Sequence, residues 1–292
     1  MRISIMTATY NRAYILTKLY KSLVQNTKSF KDVEWLIMDD GSTDDTESLI
    51  KSYIKEKKVE IKYHKQKNGG KQNAINNLMP YVTGDIIIEV DSDDHLNNNV
   101  LSMVSKDYEN LKDNVYGISY LRNQIGVNTN MDGLDNTIHT LYDIDFNYGK
   151  DFDRALTFKT SIRKHFRYEL CDKEKFITEA YMYFQMDDAT EGLLFKNKEI
   201  VTAEYRDDGY SKNIIETFKK YPKGYYKYFQ YLINKPMHHI LFKKRMYILK
   251  HFILFKTLTH QPGYKYVTGF TNKLLYILLV IPGTIKTKRM FK

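Results

Sequence analysis

The sequence predicts an α/β fold: a mostly parallel sheet flanked by helices, with a basic helical extension behind it. Three observations carry that expectation. Apolar runs of strand length alternate with segments of helical period through the first hundred residues. Four of those runs end in polar stretches rich in Gly, Asn or Asp. From residue 212 onward the pattern turns helical, aromatic and basic, with 17 Lys and Arg against one acid, Glu216.

The elements follow in order. "RISIMTATY" reads as a strand running into a loop. In "ILTKLYKSL", Ile15, Leu16, Leu19, Tyr20 and Leu23 recur at helical spacing. Residues 33 to 38 make a second strand, followed by a polar turn in which Ser42, Thr43 or Asp44 would cap the next helix. "VEIKYH" is a third strand, and "KQNAINNLM" a short helix after a Gly-Gly turn. "DIIIEV" is the fourth strand. Strand and helix alternating at this interval build βαβ units, and hence a parallel sheet. Between residues 100 and 211 the signal weakens: "NTNMDGLDNT" reads as a loop and "EIVTAEY" as a strand.

The totals narrow the function classes. A chain of 292 residues that is 42% hydrophobic can bury one large core or two small ones. The single cysteine, Cys171, can form neither an internal disulfide nor a multi-cysteine zinc site, which fits a reducing compartment. Residues 1 to 25 lack the order of a signal peptide, and the apolar run "LLYILLVI" is too short to cross a bilayer, so no membrane span is expected. The net charge of +10 is uneven, with +16 from residue 212 onward and −6 before it. Such a tail faces a polyanion. No RNP, KH or helix-turn-helix pattern accompanies it, so nucleic acid is not expected and an anionic membrane surface is. Phe242, Met246, Leu249 and Ile253 fall at helical spacing; that apolar face would either lie in a membrane interface or pack on the catalytic domain.

Open parallel sheets bind ligands beyond the carboxyl ends of their strands. The topology would therefore bring "TATYNR", "DDGSTDD", "QKNGGK" and "DSDD" to one rim. Asp91, Asp93 and Asp94 crowd three like charges behind an apolar strand, and something must offset their repulsion. A divalent cation is the simplest candidate. Asp91 and Asp93 can hold Mg²⁺ or Mn²⁺ through hard oxygens, with water and a diphosphate filling the other positions. The same acids would also serve as a cap on a helix starting near Leu96. Asp39 and Asp40 can accept from a ribose hydroxyl or a base N–H, or simply shape a turn. Gly70 and Lys71 offer amides and an ammonium at a helix N-terminus, an anion site or an ordinary glycine turn. Tyr10 offers a ring for stacking, or for packing.

Taken together, "TATYNR", "LIMDDGSTDDT", "NGGKQNAIN" and "GDIIIEVDSDD" resemble, in this order and spacing, glycosyltransferase family 2. These are inverting enzymes of the Rossmann-like GT-A fold that use nucleotide sugars. The resemblance spans roughly the first 100 residues. It implies that Thr9 and Tyr10 line a base pocket and that Asp40 contacts the base, usually uracil, with Asp39 beside it. It places Gly70 and Lys71 near the base and diphosphate, and makes Asp91 and Asp93 the metal and ribose-diphosphate motif, with Asp94 an alternative metal contact. Two positions depart from the family's pattern. Ala8 stands where proline is usual, and Ile75 where arginine is frequent, leaving Lys71 to supply the positive charge. The family often carries its catalytic base in a Glu-Asp pair at a helix start; Thr178-Glu179 stands there, making Glu179 the candidate base. The alternative is a helix-terminal glutamate stabilised by the dipole. Asp187 and Asp188 read as surface residues. Arg206 of "EYRDDGYS" would reach a phosphate or sit in a charged loop.

The resemblance divides the chain into a nucleotide-sugar-binding half at 1–100, an acceptor-binding half at 101–211 and the basic tail at 212–292. It implies sugar transfer from a nucleotide diphosphate sugar, UDP-linked, to a glycan or lipid-linked glycan acceptor in bacterial surface polysaccharide synthesis. The protein would work in the cytoplasm, peripheral at the inner face of the cell membrane. The alternatives are a sugar nucleotidyltransferase, which "TATYNR" disfavours for want of a Gly-rich basic loop, and a catalytically inactive membrane-attached nucleotide-sugar-binding protein.

Overall fold

Strand β1 (Ile3–Thr9) is buried at all but one position because it runs between two parallel neighbours, β2 (Val33–Asp39) and β4 (Ile86–Glu89). A strand covered on both faces has no use for polar alternation. The computed structural model describes residues 1–124, 133–149, 154–203, 214–235 and 240–291. β3 (Glu60–Lys65) pairs parallel with β2 on its other side. Helices α1 (Ala13–Asn26), α2 (Thr46–Glu56) and α3 (Lys71–Leu78) connect these strands. α1 buries Ile15, Leu16, Leu19, Tyr20 and Leu23, the row that the periodicity selects.

The weaker-signal middle supplies the rest of the sheet. β5 (His95–Leu96), α4 (Val100–Tyr108), β6 (Gly117–Gln124), β7 (Ile138–His139), β8 (Arg154–Lys159), α5 (Thr160–Arg163), α6 (Glu179–Ala189) and β9 (Leu193–Ala203) follow in that order. Among the described residues the strands run β3-β2-β1-β4-β8-β6-β9-β5, with β7 beside β9. The pairing of β6 with β9 is parallel; β5, β7 and β8 enter antiparallel. This is an α/β sheet of the expected kind.

Two helix starts differ from expectation. α2 begins at Thr46, later than a cap at Ser42 or Thr43 would place it. The N-cap position is Asp45, which makes no side-chain cap hydrogen bond; Asp44, one residue earlier, accepts from the Thr46 amide at 3.1 Å and the Thr46 hydroxyl at 2.6 Å. No helix starts near Leu96; that residue lies in β5, and α4 begins at Val100.

At the sheet's far end, Glu34 of β2 has a wholly buried side chain. It accepts from Lys62 Nζ at 2.6 Å, Ser4 Oγ at 2.5 Å and the Thr83 amide at 2.8 Å. Burial alone would raise its pKa, but these donors outweigh burial and hold it down at about 2.

Packing divides the chain into two units. Residues 1–141, 152–168 and 184–206 form the first, which carries the sheet. Residues 142–151, 169–183 and 207–292 form the second, with α7 (Ile214–Lys220), α8 (Pro222–Asn234), α9 (Phe242–Leu258) and α10 (Phe270–Met290). Here α8 meets α9 through stacked rings, Tyr225 on Phe255 at 4.9 Å and Phe229 on His251 at 5.1 Å. The Glu174 carboxylate fixes the start of α8, accepting from the amides of Lys223 at 2.8 Å and Gly224 at 2.7 Å. The apolar face of α9 is Ile248, Leu249, Phe252, Ile253 and Phe255. Of the row expected from Phe242, Leu249 and Ile253 are buried, Met246 is half-buried, and Phe242 itself is 65% exposed. Among the described residues no helix is long and apolar enough to cross a membrane.

Candidate functional site

Register brings three of the four polar stretches together. Thr9 of β1 lies opposite Asp39 of β2, and Asp39 opposite Lys65 of β3, so the chain leaves these strands at one level. The loop after β1 is then stapled to the loop after β2. Asn11, in the left-handed region at φ 52°, donates its amide to Ser42 Oγ at 2.9 Å and accepts from the Thr43 amide at 2.8 Å. Asp44 accepts from the Ala13 amide at 3.1 Å. Gly41 turns the second loop at φ 86°, and a Cβ there would meet the Asn68 amide nitrogen at 3.0 Å.

Asp39 and Asp40 take different partners. Asp39, wholly buried, accepts from the Ser42 amide at 2.6 Å and the Tyr63 hydroxyl at 2.7 Å. Asp40 faces the "NGG" turn. Its Oδ1 accepts from Gln66 Nε2 and the Gly69 amide, both at 2.7 Å, and its Oδ2 from the Gly70 amide at 2.8 Å. Gly70 sits at φ 93°, ψ 159°, a conformation open essentially to glycine alone, and is the N-cap of α3. The helix N-terminus read as an anion site thus already holds an anion, the protein's own Asp40.

Beyond β4 the three aspartates separate in role. Lys71 Nζ lies 2.5 Å from Asp91 Oδ1, and Arg122 Nη2 lies 3.9 Å from Asp91 and 2.6 Å from Asp94. Burial would raise the Asp91 pKa, but the charges of Lys71 and then Arg122 outweigh it, and the carboxyl is held below the usual range. Asp94 is more deeply buried; burial, reinforced by Asp91 and Asp93, pushes it up to about 7 despite Arg122. Asp93 makes no hydrogen bond or ion pair with any described residue. The repulsion that seemed to require a metal is therefore offset in large part by Lys71 and Arg122. Arg122 carried no local signal, being one cation inside the strand "GISYLRNQ".

The base of β4 is equally fixed. Arg163, fully buried, gives Nε at 3.1 Å and Nη2 at 2.9 Å to Glu89, two residues before Asp91. Tyr168 donates its hydroxyl to Glu89 at 3.2 Å, and its amide to Asn76 of α3 at 2.9 Å.

The other expected residues lie as follows. Thr9 is buried, and its Oγ1 has no hydrogen-bond partner among the described residues. Tyr10 is 48% exposed, a ring open to a ligand. Glu179 opens α6, within the second unit, with Tyr183 donating its hydroxyl to it at 3.4 Å. Asp187 is not a surface residue: it is buried and accepts from the Tyr116 hydroxyl at 3.0 Å, whereas Asp188 is exposed. Arg206 lies outside the described residues. Asp91, a third exposed, and Asp93, without a hydrogen-bond or ion-pair partner among the described residues, carry hard oxygens of the kind divalent cations take. No group of three or more His, Cys, Asp or Glu among the described residues is arranged to hold a metal alone. Two carboxylates completed by ligand phosphates are a sufficient set for Mg²⁺ or Mn²⁺.

Residues 4–170, more than half of the chain, match the family model described as Glycosyl transferase family 2. The chain belongs to glycosyltransferase family 2. Among its relatives, the chain is 35% identical over 103 residues to the GalNAc(5)-diNAcBac-PP-undecaprenol beta-1,3-glucosyltransferase of Campylobacter jejuni, covering 35% of this chain and 32% of that one. It is 28% identical over 101 residues to the poly(ribitol-phosphate) beta-N-acetylglucosaminyltransferase TarS of Staphylococcus aureus, covering 35% of this chain and 18% of that one. These matches span a third or less of the relatives' lengths. Among solved structures, S. aureus TarS 1–349 in complex with UDP-GlcNAc superposes with a TM-score of 0.63 at 16% identity, over 99% of this chain and 83% of that one. The mannosyltransferase PcManGT of Pyrobaculum calidifontis, solved with GDP-Man and Mn²⁺, gives 0.59 at 14% identity, over 99% and 84%. At these identities the likeness shows the fold, which is GT-A.

Proposed function

We propose that this family 2 member transfers a sugar, with inversion, from a UDP-linked sugar to a glycan or lipid-linked glycan acceptor in bacterial surface polysaccharide synthesis. The observation that carries the reading is the rim of a GT-A sheet where Asp40 holds the Gly70 amide and the next residue, Lys71, pairs with Asp91. The names of the relatives, which include an undecaprenol-linked glucosyltransferase and a poly(ribitol-phosphate) N-acetylglucosaminyltransferase, support the acceptor class. The neighbour solved with UDP-GlcNAc supports the nucleotide.

Each residue then has a task. Tyr10 would stack on the base, and Thr9, whose hydroxyl has no partner among the described residues, would hydrogen-bond to it or to the ribose. Asp39 and Asp40 would order the base pocket, with Asp40 and Gly70 fixing the turn that presents Lys71. Lys71, beside Asp91, would supply a cation to the donor's phosphates. Asp91 and Asp93 would hold Mg²⁺ or Mn²⁺, which supplies positive charge to stabilise the departing diphosphate. Glu179 would take the proton from the acceptor hydroxyl as that oxygen bonds to the anomeric carbon; a single carboxylate base is what one-step inversion requires. In this reading residues 1–100 bind the donor, 101–211 the acceptor, and 212–292 meet an anionic membrane surface at the cytoplasmic face.

A panel of UDP- and GDP-sugars incubated with the protein and Mn²⁺ tests the proposal through slow donor hydrolysis. Release of UDP from at least one UDP-sugar is expected. Hydrolysis confined to GDP-sugars would overturn the choice of nucleotide, and none at all, with no nucleotide binding, would overturn the reading.

A further inference from the structure

Helix α10 packs inside out. Its buried residues are Asn272, Tyr276 and Thr287, a mostly polar set. Its contact with α9 runs through small groups: a Cβ on Gly283 would come within 2.9 Å of Ile253, and Thr284 Oγ1 lies 3.4 Å from Thr257 Oγ1. The outward side carries Phe270, Leu274, Ile277, Leu278, Ile281 and Ile285, each 48–84% exposed. At 3.6 residues per turn these six fall within about 100° of arc. A helix built only to complete a water-soluble unit would turn this stripe inward, and an exposed apolar patch of such extent marks an interaction surface.

Charge selects the partner. Lys273 and Arg289 flank the stripe, Lys288 continues it, and all three are exposed. No acid follows Glu216 in the sequence, and the tail carries +16. A second copy docked stripe to stripe would bring two such tails together against their mutual repulsion. An anionic lipid surface relieves that charge and takes up the apolar face at once. A transmembrane course is disfavoured by hydropathy, since no described helix is long and apolar enough to span, and by the packing of the opposite face on α9.

We propose that α10 lies flat in the headgroup layer of an anionic membrane, with Phe270, Leu274, Ile277, Leu278, Ile281 and Ile285 immersed. This rests on the membrane part of the reading above and names the surface that would carry it; it stands apart from the donor chemistry.

The test uses the full chain with phosphatidylcholine vesicles, with and without phosphatidylglycerol. Pelleting that depends on phosphatidylglycerol is expected at low salt. It should weaken but persist as salt rises from 0.1 to 1 M and screening tightens from ~10 to ~3 Å, because the apolar contribution remains. Leu278→Glu with Ile281→Glu changes two exposed positions, and should cut vesicle binding by at least ~10-fold while UDP binding is retained. Leu278→Trp adds a reporter against the constant background of Trp35, which is wholly buried and the only native tryptophan. Its emission should shift to the blue on vesicles and be quenched by brominated lipid. No dependence on phosphatidylglycerol at low salt, or an unquenched Leu278→Trp, overturns the proposal. So does light scattering that finds a dimer split by the double substitution, which would assign the stripe to a second copy. Vesicle binding without nucleotide binding would sink the donor reading and leave this one standing.

Discussion

Replacing Asp40 by asparagine should destabilise the first unit by about 2–4 kcal/mol, although it alters only charge and one acceptor. The figure follows from three hydrogen bonds. Oδ1 accepts from Gln66 Nε2 and the Gly69 amide, and Oδ2 from the Gly70 amide. An asparagine can keep its carbonyl toward the first pair, but its NH₂ then confronts the Gly70 N–H. That loses one charge-assisted bond at a nearly fully buried site, about 1.5–3 kcal/mol. Gly70 is the N-cap of α3, so removing the anion there costs a further ~0.3–1 kcal/mol through the helix dipole. Urea unfolding followed by Trp35 fluorescence reads the first unit directly, since that side chain is buried in β2. With a urea dependence of ~3 kcal/mol per M, the midpoint should fall by about 1 M. Hydrogen exchange should show the Gly70 amide losing protection. A midpoint unchanged within ~0.3 M, with Gly70 still protected, would refute the reasoning and leave Asp40 only a ligand-contacting role.

Glu34 predicts an acid-sensitive fold. Its folded pKa, near 2, lies below its ordinary value of 4.5, so its contribution is present above about pH 4.5 and is lost as pH falls toward 2. The shift is worth about 3 kcal/mol. Glu34→Gln should therefore be less stable at pH 7 and should flatten the stability profile between pH 4.5 and 2; a parallel profile would show that Glu34 is not the group responsible. Glu179→Gln should lower transfer by ~10²–10⁴ and leave donor affinity nearly unchanged. Near-normal transfer would move the base elsewhere, to exposed Asp188 before Asp187, whose carboxylate is committed to Tyr116.

What could be read from the sequence was local. The four strands, the α1 face and the polar strand ends declare themselves through spacing within a few residues, and a parallel sheet then gathers the strand ends. What escaped depends on distant partners. Asp187 is buried because Tyr116, 71 positions away, donates to it. Arg122 and Arg163 settle the charges around β4 from other strands and helices, and a single arginine in a strand or short helix resembles any surface cation until its partner is known. The "NGG" turn looked ready for a foreign anion because no sequence pattern says that Asp40, 29 and 30 residues earlier, fills it. Periodicity found an apolar stripe in α9 and an apolar run in α10. It could not say that α9 would turn inward only from Ile248, or that α10 would face its stripe to solvent.

The central claim is that the rim at Asp91 and Asp93 receives a nucleoside diphosphate with a divalent cation. Calorimetric titration of UDP with and without Mn²⁺, on the native chain and on Asp93→Asn, tests it most directly. Asp93 has no partner among the described residues, so its replacement should leave the fold intact. The account predicts that Mn²⁺ tightens UDP binding to the native chain and that Asp93→Asn removes this gain. UDP binding of equal strength in EDTA, or a gain that survives in Asp93→Asn, would contradict it.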